Sequence, residues 1–372
     1  MGRTHKTMSK VIKTSSMELC ALCFLVFAVC LMFSFVSSEA AVTGSCSNCH
    51  TMHNSQNGQP MAYDFDGTSF TKTATPKGSL LIYDCLGCHS VIAGSTWQDS
   101  VTKAPIVFNT NEPTYNSVKG LAAGNYFYVS TIFDNTGHNI FSTNPDDTLG
   151  NIPPGGTTLS AQLRCSGTWG CHGHNGRQSG DTAVDDETHA MKGAHHGDDS
   201  PPLEGDLTNV AHNYRFLLGI KGKEDSDWQQ DNVNTSHNEY KGSSSSSSDT
   251  MSYLCAECHG KFHTWVGGPS EVGTASPWLR HPTDATLQSS SGPGFGEYTN
   301  YTTYSMVAPV ARPGPDSVAD PTRVTPGTDI VMCLSCHRAH ASPHFKMMRW
   351  DYKSATLSEA LSGCNVCHTS KN

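Results

Sequence analysis

Six times along the chain two cysteines stand a short interval apart with a histidine directly behind the second: CSNCH (46–50), CLGCH (85–89), CSGTWGCH (165–172), CAECH (255–259), CLSCH (333–337) and CNVCH (364–368). Histidine occupies 19 of 372 positions, so chance would place one behind about one cysteine in twenty. Six in six therefore has a chemical cause. A disulfide framework is the usual meaning of paired cysteines in an exported chain, but it gives no role to the histidine. Zinc knuckles use similar spacing, yet a structural zinc site needs four ligands, and neither the number nor the spacing of these motifs sorts them into closed sets. Covalent haem attachment uses all three residues at once: two thiols meet the two vinyl groups of a porphyrin, and the imidazole points at its iron.

This reading assigns haem c to Cys46 and Cys49, Cys85 and Cys88, Cys165 and Cys171, Cys255 and Cys258, Cys333 and Cys336, and Cys364 and Cys367, with His50, His89, His172, His259, His337 and His368 as proximal iron ligands. The third motif departs from the others, with five residues between its cysteines. Gly167 and Gly170 allow that loop the unusual backbone angles an outward bulge needs. The competing reading of the third motif is a disulfide or a small metal site with His172 and His174, so the count is six haems, or five if that site carries none.

A second axial ligand decides between electron transfer and chemistry at each iron. Beyond residue 40 there are eighteen histidines but eight methionines, and bis-histidine ligation is the economical expectation. Distal candidates are His53, His138, His195, His196, His263, His281 and His340, with His237, His212, His189, His174 and His344 ranked lower. His53 stands three residues after His50, and His340 three after His337. One helical turn would point both members of each pair to the same side, so neither His53 nor His340 can complete the iron of its own motif. His263, four after His259, follows the same next-turn logic.

The elements that must hold these groups are expected to be slight. Gly, Ser, Thr, Asn, Asp and Pro dominate, and long apolar-periodic stretches are scarce. The expected fold is a mostly irregular, loop-rich multihaem cytochrome c, with short helices at the motifs and near 207–220, strands at 104–108 and 125–133, and the haem chain as its core. NIPPGG (151–156), GSSSSSS (242–248) and ARPGPDS (311–317) read as surface turns, and acidic runs such as DDE (185–187) as solvated surface. Motif starts are spaced 39, 80, 90, 78 and 31 residues apart, which crowds attachment sites at both ends.

Arg3, Lys6, Lys10 and Lys13 precede an 18-residue apolar run (19–36) and small residues at Ser38 and Ala40. Residues 1–40 therefore read as a cleaved signal peptide, with an uncleaved anchor as the alternative, and 41–372 as a single multihaem domain. The whole chain carries a net charge of −9. Loss of the leader leaves the remainder more acidic, which argues against nucleic acid as a partner.

CSNCHTMHNS, LLIYDCLGCHS, DNTGHNI, SYLCAECHGKFH, SPWLRHPTD, MCLSCHRAH and LSGCNVCHTSKN together resemble the extracellular multihaem c-type cytochromes of metal-reducing bacteria, in particular the filament-forming OmcS/OmcE type. The resemblance implies an unbroken stack of haems in alternating parallel and roughly perpendicular pairs, with His53 ligating a haem of the adjacent subunit. It also implies partners: further copies of the chain, other cytochromes, and extracellular acceptors such as metal oxides. The expected role is then a non-enzymatic electron conduit at the outer surface. The alternatives are an oxyanion reductase, which would need an iron with an open position, and a monomeric periplasmic shuttle.

Overall fold

The computed structural model describes residues 44–113, 119–131, 135–143, 152–197, 203–225, 229–231, 234–245, 247–263, 281–289 and 296–369. The expected signal peptide (1–40) lies outside the described residues. Ala40–Asn372 forms one compact unit. Among the described residues no helix is long and apolar enough to cross a membrane.

Helices are α1 (Cys85–His89), α2 (Phe127–Thr131), α3 (Glu187–Ala190), α4 (Met251–Ala256), α5 (Leu357–Ala360) and α6 (Cys364–Cys367). The strands have two or three residues each. They pair antiparallel as Tyr63–Phe65 with Phe70–Lys72, as Ala285–Thr286 with Ile330–Val331, and as a ribbon with Lys221–Lys223 between Leu203–Glu204 and Glu239–Tyr240. Ser90–Val91 pairs in parallel with Phe108–Asn109. The expected loop-rich fold of short helices and short strands is what the chain adopts.

Side chains, more than periodicity, start these elements. The Asp84 carboxylate accepts the amides of Gly87 (2.8 Å) and Phe65 (2.7 Å), so one residue caps α1 and ties it to the neighbouring strand. Thr250 caps α4 by accepting from the Tyr253 amide. Asp186, read above as solvated surface, caps α3 through the amides of Thr188 and His189.

Three expectations need correction. Residues 125–133 are helical over Phe127–Thr131 rather than extended. The fully buried Asn125 accepts the Phe127 amide through its side chain while donating to Ile106 O and Asn109 Oδ1, and this local turn overrides the β-propensity of the aromatics. The stretch 104–108 contributes only its last residue to a strand. In 311–317, Ala311 and Arg312 are buried, because Arg312 is drawn inward by two carboxylates, and only the single turn Pro315–Ser317 follows as a loop.

Apolar burial falls into four small clusters instead of one core. Three run directly into cysteines of the Cys-Cys-His motifs. Cys171 packs against the cluster that includes Tyr214, Ile220 and Met332, Cys165 against that of Leu86, Tyr126 and Ile140, and Cys367 against that of Tyr301 and Val310.

Candidate haem sites

Local backbone geometry gives the motifs a shared frame. In the first, fourth and fifth, the amides of the second cysteine and of the histidine both donate to the first cysteine's carbonyl: Cys49 and His50 to Cys46, Cys258 and His259 to Cys255, Cys336 and His337 to Cys333. The sixth shows the histidine bond, His368 to Cys364, and the second is α1 itself. The third motif has no helix, yet Cys171 and His172 donate to Cys165 O at 3.2 and 3.1 Å. Its three extra residues are taken up in a bulge whose residues are buried or half-buried, and the backbone hydrogen-bond register is that of the shorter motifs.

Imidazole binds a metal ion through a bond of about 2.0–2.1 Å, so two imidazoles on opposite sides of one ion have ring centroids about 6 Å apart. Five histidine pairs stand at this spacing: His50 with His196 (5.9 Å), His89 with His195 (6.2 Å), His172 with His340 (6.4 Å), His138 with His259 (6.0 Å) and His281 with His368 (6.2 Å). Each unites a histidine that directly follows a motif's second cysteine with one that does not. Among the described residues no imidazole stands opposite His337. His53 is exposed beside the 84% exposed Met52.

The rings are also held in the form a metal needs. His50, His89, His172, His259 and His337 each direct Nδ1 at a backbone carbonyl, of Ser79, Pro105, Arg215, Pro154 and Lys346 respectively, at 2.8–3.0 Å. His138 and His281 do the same toward Ala339 (2.6 Å) and Pro282 (2.9 Å). An Nδ1–H donated to a carbonyl leaves the lone pair on Nε2. Burial pushes His138 and His195 down to about 4 and His340 to about 3, which keeps these imidazoles neutral at physiological pH.

Sequence reasoning did not find these carbonyls. Arg215 (φ 50°) and Lys346 (φ 57°) hold theirs in position by a left-handed backbone within a single 3₁₀ turn, and nothing in either residue's type announces it. Pro154, placed among the surface turns above, is the partner of His259.

All twelve motif cysteines are free thiols. Burial pushes Cys171 up to about 11 and Cys336 and Cys367 to about 12, while hydrogen bonds from Cys255 and Ser252 lower Cys333. Among the described residues only Cys85, Cys165 and Glu187 gather closely enough to share an ion, three groups where structural zinc takes four. Neither a disulfide nor a zinc reading gives a role to the five paired imidazoles. Paired imidazoles, thiols beside apolar clusters and the repeated backbone frame fit haem held by two thioethers and two histidines.

The motifs follow one another in space as they do in sequence. Cys49 neighbours Cys88, Cys85 lies within 4.8 Å of Cys165, Cys171 neighbours Cys258, Cys255 is within hydrogen-bonding reach of Cys333, and Cys336 neighbours Cys364 and Cys367.

His263 is not brought opposite a motif histidine. The chain leaves the helix after Ala256, and His263 sits in extended backbone (φ −130°, ψ 129°), buried against the Asp284 carboxylate. Helical spacing also fails for His53 and His340, since the turns at their motifs end at Asn48 and Ser335. Among the lower-ranked histidines, His237 stacks on Tyr304 at 3.7 Å, and His174, His189 and His212 face Asp181, Asp186 and Asp206.

No family model matches the chain. It is similar to the C-type cytochrome OmcS of Geobacter sulfurreducens, 27% identical over 410 residues, covering 91% of this chain and 86% of the relative. Among solved structures it is similar to the Outer Membrane Cytochrome S filament of the same organism, with a TM-score of 0.51, 20% identity, and coverage of 89% of this chain and 99% of that one. A cryo-EM structure of OmcS nanowires gives a TM-score of 0.47 at the same identity and coverage. The first structural likeness shows a shared fold.

Proposed function

We propose that this chain is an exported multihaem c-type cytochrome carrying six haem c groups in a row and conducting electrons at or beyond the outer cell surface. The observation that carries the reading is the set of five histidine pairs at 5.9–6.4 Å, each opposite an attachment motif. The similarity to a protein named a C-type cytochrome and the fold shared with a filament subunit support it. Bound haem supplies a one-electron iron couple, and closure of both axial positions by imidazole suits transfer rather than substrate binding. The chain's own part is to hold the rings. Backbone carbonyls fix the tautomers of five proximal histidines, the attachment cysteines set each group beside the next, and His195 and His196, adjacent in sequence, tie the second and first sites together.

Among the described residues His337 is the motif histidine without an opposite imidazole, and His53 is an exposed upper-ranked candidate with no motif histidine opposite it, so the two complement each other. We propose that His53 of one copy completes the His337 site of the next, so that head-to-tail assembly closes the last open position. This also distinguishes the conduit from an oxyanion reductase, whose iron would keep that position open.

The test is maturation of the full chain in a host that attaches c-type haem, followed by intact mass, visible spectroscopy and electron microscopy. Six haem masses per chain and filaments with low-spin iron throughout are expected. His53→Ala should give monomers with one high-spin, ligand-binding iron per chain. A colourless product, or a mass equal to bare polypeptide, would overturn the reading. Monomers of the unaltered chain with every iron six-coordinate would remove the assembly step alone.

A further inference from the structure

The third attachment motif poses a problem that the other five do not. A spacer of two residues sets its register by a helical turn, whereas five residues carry no such constraint and leave the two thiols and the imidazole free to separate. The chain nevertheless returns Cys171 and His172 to the carbonyl of Cys165.

The bulge that makes this possible is held at its base and within. At the base, Ser166 bridges to His172 in strand-like pairing, Gly167 N donates to His172 O, and Gly170 N to Gly167 O. A Cβ at Gly170 would lie 2.4 Å from backbone atoms of Ser166, so this closure admits no side chain. The Cys165 amide donates to the Glu187 carboxylate. Inside the bulge, the Arg177 guanidinium donates one Nη to Gly170 O and the other to Thr168 O, both at 2.8 Å. Arg177 is itself delivered by a turn wound around Asp181. That nearly inaccessible carboxylate accepts His174 Nδ1 and the amides of Asn175, Gly176 and Thr182.

We propose that Arg177 is the positioning residue of the third haem site, clamping the five-residue spacer into the register that a two-residue spacer reaches unaided. The proposal deepens the six-haem reading above and rests on it. Each thioether forms by addition of a thiol across a vinyl double bond, sulfur to one carbon and hydrogen to the other, so no oxidant is consumed and only relative placement of the groups is at issue. The forked guanidinium spans two carbonyls at once, which a lysine ammonium cannot do in the same geometry.

The experiment matures four full-length chains in parallel: unaltered, Arg177→Ala, Arg177→Lys, and Arg177→Ala combined with deletion of 166–168, which leaves a two-residue spacer. Haem occupancy is read by mass on the proteolytic peptide holding Cys165, Cys171 and His172, with the five other haem peptides of the same sample as controls for folding. In Arg177→Ala occupancy of that peptide should fall roughly twofold or more, and Arg177→Lys should not restore it. The shortened chain should be fully occupied without the arginine. Full occupancy in Arg177→Ala overturns the proposal, and so does persistent loss in the shortened chain. A third peptide without haem in the unaltered chain would instead defeat the six-haem count itself.

Discussion

Replacing Arg312 by methionine should destabilise the protein by about 5 kcal/mol at neutral pH, because breaking a buried ion pair by removing one partner costs roughly 3–5 kcal/mol and this arginine serves two. It is 5% exposed. Nε donates to Glu239 at 3.0 Å, one Nη to Asp329 and the other to Arg323 O at 2.7 Å, and the guanidinium lies 5.2 Å from the Tyr304 ring centre. Glu239 and Asp329 are 2% and 3% exposed. Without the arginine, Asp329 keeps the Thr325 amide, and two carboxylates remain buried with no cation between them. A loss of this size is a third or more of the roughly 5–15 kcal/mol that stabilises a typical domain. The damage should reach the fifth attachment motif, since Asp329 directly precedes the strand Ile330–Val331 that leads to Cys333.

The pH dependence has a definite sign. Burial raises both carboxyl pKa values above the ordinary range, and Arg312 pulls them back down, so in the variant they rise further. A carboxyl whose folded pKa exceeds its unfolded one contributes stability fully present below the unfolded pKa and lost as pH rises through the folded pKa. The deficit of Arg312→Met should therefore be smaller at pH 5 than at pH 8. Denaturant unfolding of the haem-loaded protein by circular dichroism at both values measures it. Adding Glu239→Gln and Asp329→Asn should recover much of the loss. A deficit under about 1 kcal/mol, or one equal at both pH values, would refute the reasoning.

Three further perturbations probe the sites directly. His340→Ala removes a half-buried ring stacked on Tyr126 at 4.7 Å and should leave the iron of His172 five-coordinate. Carbon monoxide titration is then expected to find one binding iron per chain, and none would remove His340 from the ligand set. Gly124→Ala sets a Cβ within 1.7 Å of Ala341 O at φ +85° and should cost about 3 kcal/mol, read by denaturant midpoint, with the His340 site perturbed first. Cys88→Ala should lose the second haem and disorder α1 locally, and an unchanged haem mass per chain would contradict it.

What could be read from the sequence was what short-range geometry decides. A histidine directly behind the second cysteine is placed by one hydrogen bond from its amide to the first cysteine's carbonyl, so His50, His259 and His337 need no tertiary context to be recognised. The proposed distal set depends on segments far apart along the chain. His138 meets His259 because its amide donates to His340 O and its Nδ1 to Ala339 O, a contact no spacing encodes. His263 shows the converse error: the next-turn argument presumes a helix, and the chain has left it by then. The left-handed carbonyls of Arg215 and Lys346 were equally invisible, as was the inward turn of Arg312 within a proline- and glycine-rich stretch.

The same contrast explains how a chain with four small apolar clusters can form one unit. The attachment motifs follow one another in sequence order, but the paired histidines come from elsewhere. His195 and His196 reach back past the third motif to the second and first sites, His340 reaches from the fifth motif to the third, and His138 reaches forward to the fourth. Iron bound at each pair would thus cross-link segments that the backbone leaves apart, and burial of the rings together with coordination would do what a continuous core does in other folds. Ligation and tertiary structure are then one equilibrium, and removal of any distal imidazole should loosen two sequence-distant segments together rather than one.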